Sequence, residues 1–223
     1  MKKKLAIALA LVLLCTLAVS NTLTYFQATT DVKTNTMTVG NVKIEQIEEF
    51  ADKTSLRPYI GNPNETATKF DPALNAVTKT VTVKNTGTEA AFIRTLFAFE
   101  AVNGADPVAS ASPIIHVNYN TDTNVGTWAS IGSVTVDGAL YYVYSFTYTA
   151  AVAGNNNATE ASLKAIALDC KQDNKFFEAV GAEYNVLVLS QAVQSTGFAD
   201  AAAAFTAAFP LGENSANLAD WFN

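Results

Sequence analysis

Short segments that alternate apolar and polar side chains restrict the fold of this 223-residue chain more than any other feature. In KTVTVKNTG, residues 79–87, Val81 and Val83 point to one side and Thr80 and Thr82 to the other. That period of two is typical of a β-strand with one buried face. Similar segments, separated by turn residues, recur at 41–45, 90–100, 114–119, 133–149, 162–170 and 184–193. About eight short strands predict an all-β fold, a jelly-roll-like antiparallel β-sandwich with a few short helices.

Three segments carry more specific predictions. Asp137-Gly138 favours a tight hairpin turn within 133–149, and the second arm then has aromatic side chains on one face, at Tyr142, Tyr144, Phe146 and Tyr148. Segment 184–193 has Val and Leu on both faces, which predicts a central strand covered on both sides. Segment 197–209 has three Phe at helical spacing, so we expect an amphipathic helix capping one end of the sandwich. We interpret 51–76 and 103–112 as long surface connections.

The first residues resemble a secretory signal peptide. Three lysines precede an apolar run from Leu5 to Val19, and this run is shorter than the roughly 20 residues of a transmembrane helix. We therefore expect residues 1–24 to be a signal peptide cleaved between Thr24 and Tyr25, with no stable membrane insertion afterwards. Cleavage after Ser20 or Ala28 is an alternative.

Cleavage after Thr24 changes both the cysteine content and the charge of the chain. Cys15 is lost with the leader, and Cys170 then has no cysteine in the chain with which to form a disulfide. Removing the three leader lysines from 14 basic residues, against 20 acidic ones, changes the net charge from −6 to −9. A chain this acidic disfavours nucleic acid and anionic membranes as partners and suits a secreted protein.

Reactive groups do not converge in the sequence in the way that an enzyme requires. The single histidine, His116, lies in an apolar strand context and is interpreted as structural. The sequence has no H-E-x-x-H motif, no D-x-D-x-D-G loop and no phosphate-binding glycine loop. We also considered the acidic residues Glu48, Glu49, Asp169, Asp173 and Glu178 as calcium ligands or a glycosidase pair. We interpret them as surface charges, and predict no catalytic residue, metal or cofactor.

Three stretches resemble one known family. The leader is followed by TLTYFQATTDVKTNTMTVGNVKIE, residues 22–45, in which the pair Tyr25-Phe26 precedes a polar run and a T-x-G-x-[VL]-x-[IL] strand. Segment 79–100 contains a K-N-x-G turn and the triplet Phe92-Ile93-Arg94. Segment 186–209 combines a strand with a helix. Together they are similar to the TasA/camelysin family, which are secreted bacterial matrix proteins processed by the signal peptidase SipW. Thr24 in place of Ala, and Asp31 further from the aromatic pair, depart from the family pattern at the cleavage site.

This resemblance implies a jelly-roll domain, here 37–223, that is exported to the extracellular matrix or cell surface of a bacterium. It also implies a homopolymer, with accessory matrix proteins as further partners, in which residues 25–36 of one subunit enter the sheet of the next. Tyr25, Phe26, Ala28 and Val32 belong to this candidate donor strand, and the even spacing of the last three allows one buried face. The alternatives are a monomeric secreted adhesin or ligand-binding β-sandwich, with an aromatic binding face on 141–148, and a camelysin-type metallopeptidase.

Overall fold

The computed structural model describes residues 41–50, 76–109, 113–169, 184–209 and 215–222. The candidate donor strand at 25–36, the leader and its cleavage site, Cys170, Asp173 and Glu178 lie outside these residues. Within them, antiparallel strands form two packed sheets with only two short helices, which confirms the predicted all-β sandwich.

Each sheet has a simple order of strands. The strands are β1 (Ile44–Phe50), β2 (Ala76–Asn85), β3 (Ala91–Glu100), β4 (Ile115–Tyr119), β5 (Gly126–Val136), β6 (Ala139–Tyr148), β7 (Asn157–Ala158), β8 (Leu163–Leu168) and β9 (Val186–Gln194). The first sheet has the order β1-β2-β8-β4, with β7 also paired to β2. The second sheet has the order β5-β6-β3-β9. Every pairing in the two sheets is antiparallel.

The predicted hairpin is confirmed. β5 and β6 join through Asp137 and Gly138, whose φ angles of 51° and 84° are those of a two-residue turn that suits twisted strands. Tyr144, Phe146 and Tyr148 of β6 share one face, as predicted, but this face is buried between the sheets. The aromatic face suggested for an adhesin is therefore mostly core, because these rings pack against apolar residues of the opposite sheet, among them Val81.

Two helices cover the outer face of the second sheet. The segment at 197–209 forms α1 (Ala201–Ala208), capped by the Asp200 carboxylate, which accepts from the Ala203 N–H at 2.8 Å. A second helix is α2 (Ser215–Phe222). Among the described residues, neither helix, at eight residues each, is long enough to cross a membrane.

The predicted position of the first helix was wrong. Phe205 of α1 packs on Phe92 of β3, and Leu218 of α2 packs on Leu96 and Ala98 of the same strand. These β3 residues point away from the core between the sheets, in which Ile93 is buried. Since β3 is apolar on both faces, the helices bury its outer face and do not cap an end of the sandwich.

The side chain of Asn85 links the K-N-x-G turn between β2 and β3 to the loop that follows β6. This side chain is fully buried. Its Nδ2 donates to Glu89 O at 2.8 Å and to Val152 O at 2.9 Å, and its Oδ1 accepts from Gly87 N–H at 3.1 Å. Gly87 is required because a Cβ here would overlap the backbone of Asn41. The motif therefore has a structural role.

Buried tyrosines should make the fold sensitive to alkaline pH. Burial raises the pKa of Tyr148 and of Tyr184 above the ordinary value of 10.0. The folded state therefore holds these phenol protons more tightly than the unfolded state does, and stability is lost as the pH rises above about 10. We expect the free energy of unfolding, measured with urea, to fall between about pH 9 and pH 11.

Tyr148→Phe provides the control for this prediction. It removes one titrating phenol, together with the hydrogen bond that Tyr148 donates to Glu160 O at 2.9 Å. The variant should be less stable at neutral pH, but its stability should depend less steeply on pH in the alkaline range. An unchanged slope would show that burial of Tyr148 does not contribute to the alkaline transition.

Candidate functional site

β9 is an edge strand, which corrects the prediction of a central one. Its only strand neighbour in the part of the chain that the structure describes is β3. All nine of its residues are partly buried, and none is fully buried. Val186, Val188 and Ala192 face the core, whereas Leu187 and Leu189 pack on the outer face with Leu96 of β3 and α2. The sequence pattern indicated two covered faces correctly, but it does not report how many strands flank β9.

The other described edge strands carry features that discourage pairing with further strands. β1 has three glutamates among its seven residues. β4 has only five residues and an irregular register beside β8. β5 is interrupted by a bulge between Ser130 and Gly132. Charges, short length and bulges are the usual protection of exposed edges.

β9 has none of these features. Its sequence, VLVLSQAVQ, contains no charge and no proline. Its register with β3 runs without a break from Val186 to Gln194. A long, regular, uncharged edge is a favourable template for another strand. This edge is the candidate functional site.

The register identifies the backbone groups that this edge presents. Ser195 N–H donates to Ala90 O at 2.9 Å and Glu100 N–H donates to Asn185 O at 3.3 Å. Odd-numbered residues of β9 therefore bond to β3, and even-numbered residues turn their N–H and C=O groups outward. The outward residues are Val186, Val188, Ser190, Ala192 and Gln194.

A polar network joins the edge of β9 to β1 of the opposite sheet. Gln46 donates from Nε2 to Val188 O at 3.3 Å, and its Oε1 accepts from the Ser190 hydroxyl at 2.6 Å. The Ser190 and Thr95 hydroxyls lie 3.2 Å apart. On the other side, Glu48 accepts from Gln46 at 2.7 Å and forms an ion pair with the buried Lys79 at 2.6 Å. This network ties the two sheets together and uses only one backbone oxygen of the β9 edge.

Three of the other candidate residues, His116, Asp169 and Glu48, form pairs with other side chains. His116 Nε2 lies 2.7 Å from Asp169 Oδ2, and both side chains are less than one-fifth exposed. His116 is on β4 and Asp169 follows the neighbouring strand β8, so the pair fastens one strand to the next. Among the described residues, no group of three His, Cys, Asp or Glu side chains could hold a metal ion. Glu48 is paired with Lys79, and Glu49 is exposed.

Sequence reasoning missed the β9 edge because it assigned that strand to the interior of a sheet. One sequence feature could have indicated this edge: the nine residues of β9 carry no charge, and the predicted helix that follows could cover one of its faces. The predicted donor residues Tyr25, Phe26, Ala28 and Val32 lie outside the described residues, so their pairing stays a prediction. Comparison of the chain with protein-family models, with curated proteins and with solved structures finds no match in any of the three.

Proposed function

We propose that this chain is a secreted structural protein of a bacterial matrix or cell surface and that it assembles into fibres. In the fibre, residues 25–36 of one subunit pair with the free edge of β9 in the next. A signal peptidase of the SipW type would release this segment by cleaving the leader. The observation that carries the proposal is the unprotected edge of β9, and the resemblance to the TasA/camelysin family supports it.

The chemistry of the edge supports pairing with a strand. Five residues of β9 turn backbone donors and acceptors outward, and a strand beside them would satisfy these groups by β-augmentation. Every residue of β9 keeps some exposed surface. A neighbouring strand would bury more of that surface and so add apolar contacts to the backbone hydrogen bonds.

The donor segment also has a suitable length and pattern. Its twelve residues would span about 40 Å when extended, against about 30 Å for the nine residues of β9. Phe26, Ala28 and Val32 would lie on one face, and burial of Phe26 and Val32 would contribute about 1.5–3 kcal/mol each. Because donor and edge are different surfaces of the chain, the contact is head-to-tail and continues as a filament.

Electron microscopy tests the proposal directly. We expect filaments from purified protein beginning at Tyr25, and none from a version beginning at Met37. A synthetic peptide of residues 25–36, added in excess, should occupy the β9 edge and stop growth of the longer version. A scrambled peptide of the same composition is the control. Filaments from the version beginning at Met37, or folded monomers from both, would contradict donor-strand assembly.

A further inference from the structure

The strands β1 and β9 meet along one side of the sandwich, where each is the edge of its sheet among the described strands. Gln46 of β1 joins them, because its side chain bonds to Val188 and Ser190 of β9. The core-facing side chains of the two strands therefore line a seam beside the outward backbone groups of β9. A strand added to β9 would place its own core-facing side chains over this seam.

The pairing of the strands fixes which ends of β1 and β9 lie together. Ile44 of β1 pairs with Asn85 of β2, and Gln194 of β9 pairs with Ala91 of β3. Asn85 and Ala91 flank the same short turn between β2 and β3. The start of β1 therefore lies at the Gln194 end of the seam, and the end of β1 lies toward the start of β9.

The seam changes from apolar to charged along its length. At its first end, Ile44 packs against the core of the sandwich, and Ala192 is the smallest of the core-facing residues of β9. Both keep some exposed surface. Gln46 occupies the middle, and at the far end Glu48 forms its ion pair with Lys79. Only the first end therefore offers apolar surface with room for a large side chain.

The candidate donor segment, residues 25–36, has the same kind of asymmetry. Phe26, near its start, is the largest apolar residue among its even-numbered positions, and the smaller Val32 comes six residues later. Thr30, between them, is polar. Lys33 is the only cation of the segment and lies in its second half. The segment and the seam therefore fit each other better in one direction than in the other.

We propose, given assembly through this donor segment, that it runs antiparallel to β9, with Phe26 opposite Ala192 and packed on Ile44. The outward backbone groups of β9 belong to even-numbered residues. Residues directly opposite each other in an antiparallel pair share one face, so even-numbered donor residues then face the core. Thr30 lies opposite Val188 in this register, where its hydroxyl meets the polar middle of the seam.

The same register brings together two opposite charges on the outer face of the sheet. Lys33 lies opposite Asn185, the residue that precedes β9. The side-chain amide of Asn185 donates to the Glu100 carboxylate at 3.0 Å, so this carboxylate lies within reach of the long Lys33 side chain. Attraction between the two charges favours this direction of the strand.

The parallel direction loses both matches. It places Phe26 at the charged end of the seam, beside Glu48, and it places Lys33 opposite Val193. Val193 packs in the apolar cluster between β3 and α1, where a lysine has no acidic partner among the described residues. The apolar contact and the charge pair therefore favour the antiparallel direction together.

Photo-cross-linking in filaments of residues 25–223 measures the direction. p-Benzoylphenylalanine replaces Tyr25 in one sample and Lys33 in another, and mixing with isotope-labelled parent chain identifies bonds to a neighbouring subunit. By mass spectrometry, position 25 should react with residues 191–195 and position 33 with residues 184–187. Exchanged targets would overturn the antiparallel direction but support pairing with β9. Cross-links away from β9 in both samples, or no filaments, would contradict the proposed assembly itself.

A double-mutant cycle tests the contact between Phe26 and Ile44. Phe26→Ala should raise the critical concentration for filament growth by about tenfold or more, through lost apolar burial. In the Ile44→Ala background it should raise this concentration by about threefold or less, because the contact is already reduced. Val32→Ala is the matched control, and its effect should agree within about twofold in the two backgrounds.

Coupling of Ile44 to Val32 instead of Phe26 would overturn the direction, and coupling to neither would overturn the contact. Circular dichroism of the Ile44→Ala chain establishes that its sandwich is intact before the cycle is measured. Filaments from the parent chain with an absent coupling separate a failure of this contact from a failure of fibre assembly.

Discussion

The substitution Ala192→Pro should leave the sandwich folded and stop filament growth. The N–H of Ala192 points to the outer edge of β9, away from β3, so the pairing of the described strands does not use it as a ladder donor. An incoming strand would need this donor, and the proline ring would also obstruct its backbone. If the combined cost is near the 3 kcal/mol of a proline within regular structure, each joint of the filament weakens by about 100-fold.

Sedimentation of polymer, together with electron microscopy, measures this effect. Ala192→Ser is the matched control, since it changes the side chain at the same position and keeps the N–H. The serine variant should polymerise like the parent chain, while the proline variant stays monomeric with an unchanged circular dichroism spectrum. Abundant filaments from a folded proline variant would exclude the β9 edge as the acceptor, although another edge could still receive the donor strand.

Replacing Asn85 by Ala should produce the largest loss of stability that we predict for a single side chain. Asn85 makes three hydrogen bonds with backbone groups of Gly87, Glu89 and Val152, and its side chain is fully buried. A hydrogen bond of this kind typically contributes about 0.5–1.5 kcal/mol, so the loss of all three should lower the free energy of unfolding by about 3 kcal/mol. Urea denaturation at neutral pH measures this difference.

Asn124→Ala is the matched control for the Asn85 prediction. Asn124 is an exposed turn residue whose amide donates to the Asp122 carboxylate at 2.8 Å. Removing this exposed side chain should change the free energy of unfolding by no more than about 0.5 kcal/mol. Equal effects of the two substitutions would mean that Asn85 does not fasten the two loops in solution.

Local sequence determined most of the strands and which of their faces are apolar, but it missed residues 126–132, which form the first part of β5. The alternation around Val81 and Val83 predicted a buried face, and both side chains are fully buried. Asp137-Gly138 predicted its hairpin because few residue pairs adopt positive φ at both positions. These features depend on backbone preference and on the period of two, and both can be read from neighbouring residues alone.

Only the tertiary structure decided which strands lie at the edges and where the helices pack. β9 has the apolar pattern of a central strand, yet its second covered face is supplied by helices and its outer edge has no described strand partner. The sequence around Arg94 likewise gives no sign that this side chain is buried. The rings that cover it belong to Phe205, Phe209 and Trp221, which are more than 100 positions away in the chain. The apolar pattern of a strand indicates that one of its faces is covered. Long-range packing determines which helix or strand covers it.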